Sequence, residues 1–238
     1  MNRRERLYYM GINYIWKSRK RHFEPDVTED VDSIVDFDSP PYDIKNFDFE
    51  VDERKQWSDL SKDVSRCKKC RLCEKRKQAV LGVGDVKATW MFVGEAPGEH
   101  EDNIGEPFVG QAGQLLDCIL FSLGLSRDEG VYIANAIKCR PPENRTPVLA
   151  EINTCLPYLQ KQISLINPKI IVALGRPATQ ALLGHVDTKL GSMRGNTYFY
   201  QGIPLIVTYH PAYLLRSPLE KRKVWEDMIF AKKVISSL

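Results

Sequence analysis

From residue 57 onward the chain alternates short apolar runs with stretches of helical periodicity, and this order restricts the fold more than any other feature. Strand-like runs fall at 90–93, 131–136, 170–174 and 205–208. Helical patterns fall between and after them, at 114–123, 148–166, 177–183 and 220–234. Such alternation requires crossover helices on the faces of a parallel sheet. The spacing therefore predicts one three-layer α/β domain over 57–238, with a central, largely parallel sheet flanked by helices. Ligand-facing loops in such sheets lie beyond the carboxyl ends of the strands. Three segments leave those ends: GEAPGEHED at 94–102, then 135–145, then 209–216. They are expected on one rim.

Charge divides the chain further. Residues 25–53 carry 11 Asp+Glu and one Lys, whereas 54–238 carry 26 Lys+Arg against 18 Asp+Glu. A basic domain beside a detached acidic stretch suits a polyanion binder, and a solvated surface of mixed charge is the plainer reading. Residues 1–24 read as a basic N-terminal segment. Residues 25–56 read as an extended, flexible acidic linker with Pro40-Pro41 at its centre. Its scattered apolar residues offer a docking site for a protein partner. No apolar run approaches the roughly 20 residues of a membrane helix. The run at 7–16 lacks a small-residue cleavage site, so no signal peptide is read. A cytoplasmic protein is expected, with its six cysteines reduced.

Cys67, Cys70, Cys139 and Cys155 give C-x2-C, a long gap, and C-x15-C. Four thiolates hold zinc or an iron–sulfur cluster, and spacing does not choose between them. Cys73 makes Cys70/Cys73 a rival pair, and Cys118 reads as core.

Each rim residue has a functional and a plain reading. Phe108 can stack on a planar base or plug the core. The Asn135 amide offers a donor and an acceptor matching the imide-like edge of uracil, or it caps a turn. His210 opens the run HPAYLLR, whose tip can wedge a base stack while the histidine reaches an extruded base. The alternative is a helix start with core leucines. Lys138, Arg140, Arg145 and Arg216 are the expected phosphate contacts. His22, His100 and His185 have no comparable setting.

Taken together, CKKCRL, VGEAPGEHED, GEPFVGQAGQLL, YIANAIKCRPPENR, IIVALG and HPAYLLR resemble the family 4 uracil-DNA glycosylases, in the same order over roughly 60–238. The resemblance implies removal of uracil from single- or double-stranded DNA. It implies a 4Fe-4S cluster on Cys67, Cys70, Cys139 and Cys155, with Cys73 spare. It implies catalytic roles for Glu95, Glu101 and His210, with Glu95 preferred to Glu101 because it comes first in its loop. Phe108 and Asn135 would bind uracil, with Ala96 standing where better-known family 1 enzymes carry a methyl-blocking tyrosine. Tyr213, Leu214 and Leu215 would form the DNA wedge. Two other outcomes are open: a uracil-DNA crosslinking relative and a non-enzymatic iron–sulfur DNA-binding module. The loop CRPPENRTP carries no histidine, which argues against the crosslinker.

Overall fold

The computed structural model describes residues 44–184 and 187–238, with side chains from Asp52 onward. The 1–24 segment, residues 25–43 of the acidic stretch, His22 and His185 lie outside the described residues, and so does any partner site there. The chain divides into two units, Met1–Lys55 and Gln56–Leu238.

Residues 44–56, expected to be extended linker, instead form the first half of helix α1 (Ile44–Ser65). No Pro or Gly interrupts the run after Pro41. In the second half Leu60 and Val64, one helical turn apart, are buried. Extending a helix from a packed half is far cheaper than nucleating one. The Asp and Phe content hid this.

The remaining elements of the second unit follow in order: β1 (Val83–Gly84), β2 (Trp90–Gly94), α2 (Glu99–Ile104), α3 (Gln111–Leu123), β3 (Val131–Asn135), α4 (Leu149–Ile166) and β4 (Ile170–Leu174). Then come α5 (Arg176–Leu183), α6 (Leu190–Met193), β5 (Thr197–Tyr200), β6 (Ile203–Thr208), α7 (Pro211–Arg216) and α8 (Lys221–Ser236). The sheet order is β1-β3-β2-β4-β6-β5. The four central strands are parallel, and β1 and β5 are antiparallel edges. These edges escaped the sequence reading because neither is a continuous apolar run. The acidic end of GEAPGEHED, expected as loop, is the short helix α2.

Side chains of the central strands alternate between two cores. Met91, Val93, Ile171, Ala173, Leu205 and Val207 face Leu159 and Ile163 of α4 and Ala178 of α5. Trp90, Phe92, Ile170, Val172 and Ile206 face Leu116 and Leu120 of α3 and Met228 of α8. Burial on both faces explains why these strands read as unbroken apolar runs. Each such Leu, Ile or Phe contributes about 1.5–3 kcal/mol relative to exposure. Among the described residues, no helix is long and apolar enough to cross a membrane.

Register positions the rim. Gly94 pairs with Asn135, and Leu174 with Thr208, so the strand ends align. From β2 the chain moves first to one side, to β3, and then to the other, to β4. The resulting switch point is where open α/β sheets bind ligands.

Candidate active site

At that point lies a cavity of about 670 Å³. Glu95, Ala96, Glu101, Phe108, Asn135, His210, Tyr213 and Arg216 all line it, so most of the rim residues expected from sequence do converge.

Asn135 ends β3 with its side chain buried, and its Oδ1 has no hydrogen-bond partner. Leaving a buried polar atom unpaired costs about 1–3 kcal/mol. A ligand N–H would recover that loss. A Cβ at Gly94 would run into Asn135 Oδ1 and the Phe108 ring, so glycine is what lets both sit there. Phe108 itself is held at φ 55°. Such a left-handed backbone costs a non-glycine residue about 1–3 kcal/mol. Its ring stacks on His210 at 5.4 Å between centroids and 28° between planes.

His210 follows β6. Its ring is enclosed, although the residue keeps some exposure. Burial pushes its pKa down to about 4, helped by the positive charge of Arg216 and opposed by Glu101. Nδ1 accepts the Ala212 N–H at 3.2 Å. That bond requires a bare Nδ1, so the neutral ring carries its proton on Nε2.

The four carboxylates of GEAPGEHED have separate settings. Burial raises the Glu95 pKa, against a hydrogen bond from Thr146 and the charge of Arg216. Glu101 accepts three backbone N–H groups: Gly98 at 3.0 Å, Val109 at 2.9 Å and Gly110 at 3.0 Å. It joins the start of α2 to the segment that opens α3. Asp102 is buried and accepts from the Lys77 and Gln78 amides. Glu99 pairs with Arg140 at 3.4 Å on the surface. Thr146 was missed by sequence reasoning, since nothing in RTP marks a side chain that folds back onto a strand end. His100 is exposed, as a solvated position should be.

Two expected DNA contacts are corrected. Lys138 is buried, with Nζ donating to the Asn135 carbonyl at 2.8 Å and to Gln162 Oε1 at 2.5 Å. Burial lowers its pKa to about 8. It leaves β3 toward α4, where Gln162 receives it, and cannot reach phosphate. Leu214 is also buried, because on α7 it shares the core-facing side with Pro211, three residues earlier. Tyr213 and Leu215 are exposed and remain at the tip. Arg140 donates to Asn144 and Glu99, and Arg145 forms a two-bonded pair with Glu151.

Away from the rim, Cys67, Cys70, Cys139 and Cys155 line one small cavity with Arg76, Lys138 and Tyr158. Cys73 and Cys118 do not. Among the described residues, no group of three or more His, Cys, Asp or Glu is set to hold a metal ion as it stands. None of the six cysteines is paired in a disulfide. Arg76 Nη1 donates to Cys139 Sγ at 2.8 Å, and the Lys138 amide donates to Cys155 Sγ at 3.3 Å. Burial pushes the Cys139 thiol up to about 11, against the pull of Arg76, and raises Cys155 as well. A bound metal displaces such protons outright. Four sulfurs around one cavity, two already receiving N–H donors, fit a sulfur-ligated metal centre.

Fold and rim together define a class: an α/β domain with a cavity lined by polar and aromatic groups at the switch point of a parallel sheet. The family model described as Uracil DNA glycosylase superfamily matches residues 81–229. The type-4 uracil-DNA glycosylase of Saccharolobus solfataricus is 45% identical over 186 residues, covering 75% of this chain and 86% of the relative. That of Sulfurisphaera tokodaii is 48% identical over 176 residues, covering 71% and 79%. A type-5 uracil-DNA glycosylase of Pyrobaculum aerophilum stands further off, at 36% over 146 residues, covering 55% and 64%. The chain belongs to the type-4 uracil-DNA glycosylase family of that superfamily.

Proposed function

We propose that this enzyme removes uracil from DNA by hydrolysing the N-glycosidic bond of a flipped-out deoxyuridine, which begins base-excision repair. The observation that carries this reading is a neutral histidine and a partnerless Asn135 Oδ1 facing one slot.

Asn135 reads the base. Its free Oδ1 accepts the uracil N3–H and its amide donates to O4. Cytosine presents the reverse pattern and leaves buried groups unpaired, at about 1–3 kcal/mol each. Phe108 stacks on the ring. Tyr213 and Leu215 enter the base stack, and Arg216 meets the backbone, offsetting a flipping cost of a few kcal/mol.

Breaking the C1′–N1 bond sends its electron pair into uracil, onto N1 and O2. His210 donates Nε2–H to O2 without protonating it, which a neutral ring is suited to do. One preorganised donor of this kind is worth about 3–4 kcal/mol of barrier. Glu95 faces the electron-poor sugar. Its raised pKa makes it the better base for a proton of the water that attacks C1′. Glu101 acts by position, since its carboxylate oxygens are already bound to backbone amides.

Cys67, Cys70, Cys139 and Cys155 would hold the 4Fe-4S cluster. When bound, the cluster cross-links the segment before β1, the β3 loop and α4. The Arg76 guanidinium and the Lys138 backbone amide donate to sulfurs of that site. As a repair enzyme acting on genomic DNA, the protein works inside the cell.

Uracil release from a labelled oligonucleotide tests the reading. Free uracil and an abasic strand are expected. A stable covalent adduct on a denaturing gel would assign the chain to crosslinking instead, and DNA binding without release would make it a binding module.

A further inference from the structure

Stacking by Phe108 requires a backbone that its own residue type resists, so something must hold it. The ring end is fixed by Gly94, whose missing Cβ leaves room for it, and by the His210 ring. The backbone end is fixed by a residue far from the cavity. Arg127, between α3 and β3, donates Nη1 to the Pro107 carbonyl at 2.9 Å and Nη2 to the Phe108 carbonyl at 2.7 Å. Its Nε and Nη2 also reach Asp117 Oδ1 of α3, at 2.9 and 2.8 Å. Neither Arg127 nor Asp117 lines the cavity.

We propose that Arg127, anchored by Asp117, is a positioning residue that fixes the Phe108 ring in its base-stacking place. An extended residue sends its two flanking carbonyls in opposite directions. A left-handed one turns them the same way, so a single planar guanidinium can span both. The clamp thus excludes the extended backbone and holds the compact one found here, in which φ is 55°. Gly113 yields on the other side, since a Cβ there would collide with the Phe108 carbonyl. Asp117 lies on the helix that begins just after Phe108, so the clamp ties that segment to its own helix. A lysine gathers its three donors on one nitrogen and cannot span both carbonyls while holding Asp117 as the guanidinium fork does.

The inference rests on the uracil-excision reading, and a double-mutant cycle separates the two. Single-turnover uracil release is measured for the full chain, Arg127→Met, Phe108→Leu and the double variant. Arg127→Met is expected to slow release roughly ten- to a hundredfold in the parent, as small misplacements at a reacting site do. In the Phe108→Leu background the same change should cost less than about twofold, because coupled residues are not additive. Equal losses in both backgrounds overturn the clamp, whatever happens to thermal stability. If Arg127→Met does not fold, Asp117→Asn takes its place in the cycle, with the same criterion. Absence of uracil release by the unmodified protein overturns the function itself, whereas additive losses in an active protein overturn only the clamp.

Discussion

The two ends of the short path from Asn135 to Cys139 follow opposite rules. At the rim, groups are held ready but incomplete: Asn135 Oδ1 has no partner, and His210 lines the slot with only its Nδ1 engaged by a backbone amide. A few residues on, Lys138 Nζ is doubly bonded, and Cys139 and Cys155 each receive a donor. Polar groups left unmet cost stability and identify where a ligand enters. Polar groups fully met identify what the fold must not lose. On the proposed reading, one end governs turnover and the other governs integrity.

Substitutions can break this contrast, and the largest effect belongs to the rim. His210→Ala should slow single-turnover uracil release by about 10²–10³, with oligonucleotide affinity by anisotropy nearly unchanged. An equal fall in affinity would move His210 from transition-state stabilisation to docking. Asn135→Ala should reduce release by roughly 10–100-fold, matching about 1–3 kcal/mol of lost pairing, and narrow the preference for uracil over cytosine in competition. Cys155→Ser should act the other way round. Iron content and Tm fall, while the folded fraction at low temperature keeps its rate to within about tenfold. A loss as deep as that of His210→Ala would put the cysteine side in the chemistry. Arg216→Ala should have the smallest effect, flattening the salt dependence of log affinity by about one unit of slope. An unaltered slope removes it from the phosphate contacts.

Acidity distinguishes the ends too. His210 has its folded pKa lowered to about 4, from about 6.5 in the unfolded chain. Between those values the unfolded state binds more protons, so stability rises with pH across that window and is lost as pH falls through it. The neutral donor itself should persist through pH 6. A pH–rate profile that drops with an apparent pKa near 6.5 would show an ordinary, protonating imidazole instead.

The central strands were legible because double burial writes itself as uninterrupted apolar runs, and α3, α4, α5 and α8 because each carries a helical period. Rim membership was legible as well, since strand ends fix it. What escaped depends on side-chain direction. Lys138 and Arg140 look alike in the sequence, yet one turns under the sheet and the other stays at the surface. Leu214 and Leu215 are neighbours, and the phase of a six-residue helix alone decides which is buried. Arg127 and Thr146 act across the fold on residues to which no local pattern joins them.

Glu101 has a consequence beyond its own bonds. By grasping the start of α2 and the segment just after Phe108 together, it makes the walls of the slot a single stiff piece. A slot shaped in advance leaves base flipping as the larger cost of engagement, which the proposed wedge of Tyr213 and Leu215 helps to meet. Loosely paired sites, where that cost is smallest, should accordingly be cleared first.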